Sequence, residues 1–291
     1  MTEKTVVGWD GSAKADVALD WAVDRERARH GALDVIVVVD EGLFIGDDDA
    51  FERAFDVQER KLEGAIARVR GQAPDVEIRS AILRGDPTDL LAAQTGPGTL
   101  LVVGTRRRTG PRARFGWSLG ARLAAASAGP VAIVPELGTD EPRRVGVVVG
   151  IDGSHVGDRA LDFAAREASR RGEPLTIVHA WLEPLAWQPE AMPDDDFVES
   201  IQAARREMLD DRVRRTAEHH VGITIESVLV RGEPVIALRD ASGAASALVV
   251  GSRRLGNWKR AWLGSVSHGV ILDMVSPVIV IGPETETAHH D

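Results

Sequence analysis

The residues whose spacing points most directly to chemistry lie between Leu248 and His268. An apolar run, Leu248-Val249-Val250, stops at Gly251. A basic loop follows, containing Ser252, Arg253, Arg254 and Gly256, and Gly264-Ser265-Val266-Ser267 then opens an apolar helix. A buried strand that hands over to a helix N-terminus can hold a phosphate, because the N–H groups of the first turn and the positive end of the helix dipole point at it. A related stretch near Leu100 to Leu119 holds Gly104, Arg107 and Ser118, so the chain is laid out twice around one device. The arginines of both loops read either as charge-assisted phosphate contacts or as solvated surface charges.

Two further turns belong with these loops. Asp10-Gly11-Ser12 and Asp152-Gly153-Ser154 each end an apolar run and precede a helical pattern. Each aspartate reads as a ligand contact or as a turn residue capping the next helix, with Ser12 and Ser154 as candidate N-caps. His268 reads as a helix-surface residue, His219-His220 as a helix end and His289-His290 as a tail. Asp47-Asp48-Asp49 reads as a solvated loop, since it lacks the glycine and distal glutamate of a calcium loop. No G-x-x-x-x-G-K-[ST] loop is present, and no G-x-S-x-G elbow or Ser-His-Asp order is taken to stand out. Binding is therefore expected rather than turnover.

The elements that must position these residues follow an alternating order. Each half reads as strand then helix, repeated, and closes on a fifth strand. The strands are nearly continuous apolar runs, which implies a parallel sheet covered on both faces. Arg84-Gly85-Asp86-Pro87 is answered by Arg231-Gly232-Glu233-Pro234, and Pro130-Val131-Ala132-Ile133 by Pro277-Val278-Ile279-Val280. Asp10 and Asp152 stand 142 residues apart and Ser118 and Ser265 stand 147 apart, with the gain placed in the loop Leu182 to Asp196. Matching order with one small insertion is the mark of a duplicated domain. The expected fold class is α/β: two tandem doubly wound domains, each a five-stranded parallel sheet of order 3-2-1-4-5 with helices on both faces. Residues 1–136 form the first domain, 137–143 a linker, 144–284 the second domain and 285–291 a tail. In such sheets ligands bind beyond the carboxyl ends of the strands, where the order reverses. The final strands, near Val131 to Val134 and Val278 to Ile281, are the expected meeting edges of an intrachain pseudo-dimer.

The totals narrow the function classes. The 291 residues are 44% hydrophobic and 27% charged, as in globular proteins. A net charge of −10 argues against a dedicated nucleic-acid partner. The absence of cysteine removes thiol chemistry and fits a cytoplasmic location. No run approaches the roughly 20 apolar residues that span a bilayer, and no signal peptide is expected at the N-terminus.

With VVGWDGS and VVGIDGS, RGDP and RGEP, and VVGSRRLGNWKRAWLGSVSH followed by SPVIVI, both halves resemble the universal stress proteins, in the tandem form common in actinobacteria. Nucleotide-binding members carry glycine, two residues, glycine, nine residues, then Gly-Ser or Gly-Thr. Gly251 and Gly264-Ser265 fill the outer positions of that pattern, while Arg254 stands at the middle glycine with Gly256 two residues on. In the first half Arg107 and Trp117 replace the middle and final glycines. The resemblance implies ATP, with or without magnesium, as ligand. It implies contacts from Gly150, Asp152, Ala180, Gly251 to Arg254, Gly256 and Gly264 to Ser267, with Gly8, Asp10, Val39, Gly104, Arg107 and Ser118 as first-half counterparts. It also implies a nucleotide-linked stress-response role, in a chain that closes as a pseudo-dimer or forms a homodimer. A nucleotide-independent interaction module, favoured by Arg254, Arg107 and Trp117, and a slow ATPase stand as the alternatives.

Overall fold

The structure is a computed structural model and describes residues 4–29, 31–106, 118–136, 143–183, 195–253 and 263–282. In the first half, β1 (Lys4–Gly8), α1 (Ala13–Arg29), β2 (Ala32–Val39), α2 (Asp48–Gln72), β3 (Glu77–Arg84), α3 (Pro87–Ala92), β4 (Thr99–Thr105), α4 (Leu119–Ala126) and β5 (Val131–Pro135) alternate. The second half repeats them as β6 (Val147–Gly150), α5 (His155–Arg171), β7 (Leu175–Trp181), α6 (Asp195–His219), β8 (Ile225–Arg231), α7 (Pro234–Ala241), β9 (Ala247–Gly251), α8 (Ser265–Leu272) and β10 (Val278–Ile281).

The strands form one ten-stranded sheet of order β3-β2-β1-β4-β5-β10-β9-β6-β7-β8. Each half thus has the order 3-2-1-4-5, and its strands run parallel. The halves meet where β5 and β10 pair antiparallel, with Ala132 opposite Ile279. Burial on both faces explains the apolar runs: Val6, Val7, Leu101, Val102, Val147 and Val249 are wholly or almost wholly enclosed. One face is covered by α1, α2, α5 and α6, around Leu19, Leu62, Leu161 and Leu209. The other is covered by α3, α4, α7 and α8, around Leu91, Leu123, Leu238 and Val270. Fully burying a side chain such as Leu19 or Leu101 contributes about 2 kcal/mol.

Local chemistry sets the helix starts. Pro87 and Pro234 sit in the first turns of α3 and α7, where a missing N–H costs nothing. The expectation of a solvated loop at Asp47-Asp48-Asp49 is corrected. Asp47 caps α2 by accepting the Ala50 N–H at 2.8 Å, and Asp48 and Asp49 form its first turn. The three negative charges face the positive end of the longest first-half helix, which stabilises it.

Candidate functional site

Gly11 and Gly153 adopt φ of +76° and +79°, which a side chain would strain. Each glycine lets the chain fold back so that the preceding aspartate accepts the N–H of the following serine, at 3.0 Å in both halves. The turn aims that carboxylate out beyond the carboxyl end of the first strand of its half. Ser154 then caps α5 by accepting the Gly157 N–H at 3.2 Å, while its hydroxyl donates to Asp152 at 2.5 Å. Ser12 serves α1 through its carbonyl, which accepts the Ala15 and Asp16 N–H groups at 2.9 and 3.0 Å, and its hydroxyl donates to Asp10.

In the second half the turn opens onto a cleft that encloses about 690 Å³ of atom-free space, open solvent included. Gly150 and Asp152 form one wall, and Gly251 and Arg253 the wall beside it. Ala180 lies at the back, and Gly264 to Ser267 close the far side. Ser252 does not line the cleft. It is buried behind it, where its hydroxyl accepts the Gly264 N–H at 3.2 Å and the Ser267 hydroxyl at 3.2 Å. Ser252 therefore fixes the start of α8 against the end of β9. Arg254, Gly256 and Arg107 lie outside the described residues.

The sequence reading missed the apolar side of this cleft. Ile151, Val178, Pro234, Leu238 and Val250 line it with the polar groups, as do Val156 and Gly157 from the start of α5. The repeated R-G-(D/E)-P turn was the available signal, because it delivers α7 and hence Leu238 to this side of the sheet.

The strand-end glycines sit in close packing, against leucine side-chain tips at Gly8 and Gly150 and against backbone at Gly104 and Gly251. A Cβ on Gly150 would stand 2.8 Å from Leu238 Cδ2, and one on Gly8 would stand 2.8 Å from Leu91 Cδ1. On Gly251 it would meet Val156 Cγ1 at 2.9 Å and the Val156 carbonyl oxygen at 3.0 Å, and on Gly104 the Lys14 carbonyl oxygen at 2.0 Å. These glycines let β4 and β9 abut the starts of α1 and α5, so the turn and the loop of each half share one edge of the sheet. Gly264 differs. Its φ is −61° and the nearest atom to an added Cβ is Ser267 Oγ at 3.5 Å. Among the described residues nothing requires glycine there, and a side chain would project beside the cleft.

The electrostatics favour an anion at the α8 end. Gly264 caps α8 without a side-chain hydrogen bond, so the first turn presents its N–H groups toward the cleft. Arg253 Nη2 lies 3.2 Å from Asp152 Oδ2. Burial pushes the Asp152 carboxyl up. Hydrogen bonds from the Ser154 hydroxyl and N–H, with the Arg253 charge, outweigh it and leave Asp152 below the usual carboxylate range.

The first-half residues are arranged differently. Ser118 caps α4 by accepting the Ala121 N–H at 3.2 Å, so part of that helix N-terminus is satisfied internally. The expectation that no G-x-S-x-G stands out is corrected, since Gly116-Trp117-Ser118-Leu119-Gly120 has that spacing. Ser118 serves there as a helix cap. Asp10 pairs with Lys14 of the adjoining helix at 2.9 Å. Burial pushes its carboxyl up, but the Ser12 and Lys14 hydrogen bonds hold it below its ordinary value. Val39 is corrected as the counterpart of Ala180. Gly8 pairs with Ile36 and Gly150 with Val178, which makes Val38 the equivalent of Ala180 and Val39 that of Trp181. The Val39 side chain is buried on the α1–α2 face, and its carbonyl accepts the Gly85 N–H at 3.1 Å.

Comparison with known proteins identifies this arrangement. The Universal stress protein family matches residues 1–135 and again 146–282. Universal stress protein Rv1996 of Mycobacterium tuberculosis is 29% identical, over 94% of this chain and 93% of its own length. A universal stress protein of Mycolicibacterium smegmatis is 26% identical, over 96% of each chain. In fold, the chain resembles a universal stress protein from Archaeoglobus fulgidus, with a TM-score of 0.71 at 20% identity, covering 97% of this chain and 99% of that one. Two consecutive matches, each spanning one five-stranded half, establish that the chain is a tandem two-domain member of the universal stress protein family.

Proposed function

We propose that the second half binds ATP in the cleft between β6, β9, α7 and α8, and that occupancy sets the partner preference of the protein in a stress response. The observation that carries this reading is the convergence on one cleft of an α8 N-terminus without a side-chain cap, the Arg253 guanidinium and an apolar slot. The phosphates fit the α8 end, where N–H groups and Arg253 complement their charge. The base fits between Val178, Ala180 and Leu238, which offer apolar surface. Asp152, held ionised, is placed to accept hydrogen bonds from ribose hydroxyls. Magnesium would arrive with the phosphates. Among the described residues no group of three or more His, Asp or Glu could hold a metal by itself.

The role assigned is binding, without turnover. The first half is the weaker candidate, because Ser118 caps α4 and Lys14 neutralises Asp10. Equilibrium dialysis with labelled ATP tests the proposal. Saturable binding below millimolar nucleotide is expected, and no binding at millimolar nucleotide would leave the chain a nucleotide-independent interaction module. Phosphate release over hours, lost on changing Asp152, would make it a slow ATPase.

A further inference from the structure

The interface between the halves is built around an approximate twofold axis, and its centre is not symmetric. Ala132 and Ile279, which pair directly across the β5–β10 seam, stand 147 residues apart, the same offset that relates Ser118 to Ser265. They are equivalent positions of the repeat, so the axis passes between them. Beside the seam, α1 of the first half faces α5 of the second. There Arg25 and Glu167 meet, 142 residues apart, the offset that relates Asp10 to Asp152. They too are equivalent positions, and they carry opposite charges.

The contact is close and dry. The Arg25 side chain is 0% exposed and that of Glu167 is 1% exposed. Arg25 Nε reaches Glu167 Oε1 at 2.9 Å, and Nη2 reaches Oε2 at 2.9 Å, a two-pronged pairing. Arg25 Nη1 donates to Thr5 at 2.8 Å and to Glu26 at 2.9 Å, and Arg171 Nε donates to Glu167 at 2.9 Å. A second crossing contact also has a direction. Trp21 of α1 donates through Nε1 to the Ser246 carbonyl at 3.4 Å, and Arg171 lies 5.2 Å from its ring. The equivalent of Trp21 is Phe163, which has no N–H to give.

We infer that the Arg25–Glu167 pair selects the partner of each half: the first half accepts the second half and rejects a second copy of itself. If two first halves met across this face, Arg25 would be buried against Arg25. If two second halves met, Glu167 would be buried against Glu167. Arg25 would keep Glu26 and Glu167 would keep Arg171, each from its own half, but the two-pronged pairing across the seam would be lost and like charges would meet in a dry contact, which is destabilising. The unlike pairing therefore favours a first half against a second half, which the short connection between them places within one chain, over either half against its own copy.

The test uses full-length chains. Arg25→Glu places two acids at the axis and Glu167→Arg places two bases there. Each is expected to lower the melting temperature by about 10 °C. Refolded together in equal amounts, they have complementary faces only between chains. A two-chain species is expected by size-exclusion chromatography with light scattering, with part of the melting temperature recovered. Arg25→Glu with Glu167→Arg in one chain is expected to recover as a single chain. Single variants that melt within 2 °C of the parent (about the resolution of the assay) would overturn the inference, as would a mixture that stays single-chain and melts as its separate components. Should the like-charge chains fail to fold in every combination, Arg25→Leu with Glu167→Leu decides. Refolded at about 1 mM, near the effective concentration set by a short linker, it is expected to give two-chain species that the parent does not. A single-chain product identical to the parent would overturn the proposal.

Discussion

Arg253 Nη2 stands 3.2 Å from Asp152 Oδ2 and ties the loop after β9 to the turn after β6 across the mouth of the cleft. The pair is solvent-exposed, at 70% for Arg253 and 48% for Asp152, so it contributes little to stability. Its position suits a guanidinium that transfers to a phosphate when ligand enters. Arg253→Ala should weaken ATP binding about tenfold, equivalent to about 1.4 kcal/mol. The melting temperature of the unliganded protein should stay within about 2 °C of the parent. Isothermal titration calorimetry and a thermal melt on the same variant check both halves of the statement.

Gly264 and Gly251 separate a ligand role from a packing role. Among the described residues a side chain at Gly264 meets no backbone, and it projects beside the α8 N-terminus. Gly264→Val should therefore abolish measurable ATP binding while shifting the melting temperature by only about 2 °C. Gly251→Val forces β9 away from Val156, whose carbonyl carbon and oxygen would stand 3.1 and 3.0 Å from the new Cβ. It should cost about 2–3 kcal/mol, or roughly 5–10 °C, before any ligand is added. Equal melting temperatures for the two variants would contradict this assignment.

Gly104→Ala is the corresponding test in the first half. Its Cβ would lie 2.0 Å from the Lys14 carbonyl oxygen, so either β4 or α1 must move. A loss of at least about 3 kcal/mol is expected, measured by urea denaturation. ATP affinity should change less than twofold (a factor of about two is about 0.4 kcal/mol), because this half is not the proposed principal site.

His179 gives the protein a pH dependence. Burial pushes its imidazole below the usual value; the Nδ1 contact with the Ile151 carbonyl at 2.8 Å opposes this, as does Asp152, while Arg205 and Arg212 of α6 add to it. The folded state therefore keeps the ring neutral at a pH where the unfolded chain has bound a proton. Between the ordinary value of 6.5 and the lower folded value the unfolded state holds more protons, so stability falls as pH falls through this window. His179→Val, which copies the equivalent Val37 of the first half, should flatten the stability profile below pH 6.5. Denaturant titrations at several pH values check this, and a profile unchanged by the substitution would contradict it.

The fold was legible because duplication doubles every signal. A single DGS turn or R-G-(D/E)-P turn is weak, but the same turns in the same order at nearly constant spacing fix two sheets and their seam. The site was legible in its polar frame, because Gly150, Asp152, Gly251 and Gly264 end or begin elements that must converge. Leu238 and Val178 were not, since an apolar residue carries no mark of which cavity it lines. Val39 and Ala180 were paired as strand ends, and the end of an apolar run does not fix register: Val38 is the equivalent of Ala180. Arg25 and Glu167 were invisible for a different reason. Their pairing depends on how α1 and α5 cross at the seam, and nothing local to either helix reports that.

Native mass spectrometry with ATP titrated to millimolar concentration tests the central claim most directly. The account predicts one tightly held nucleotide per chain in the parent and none in Gly264→Val. A parent that remains unliganded at millimolar ATP, or a Gly264→Val variant that binds as the parent does, would contradict it.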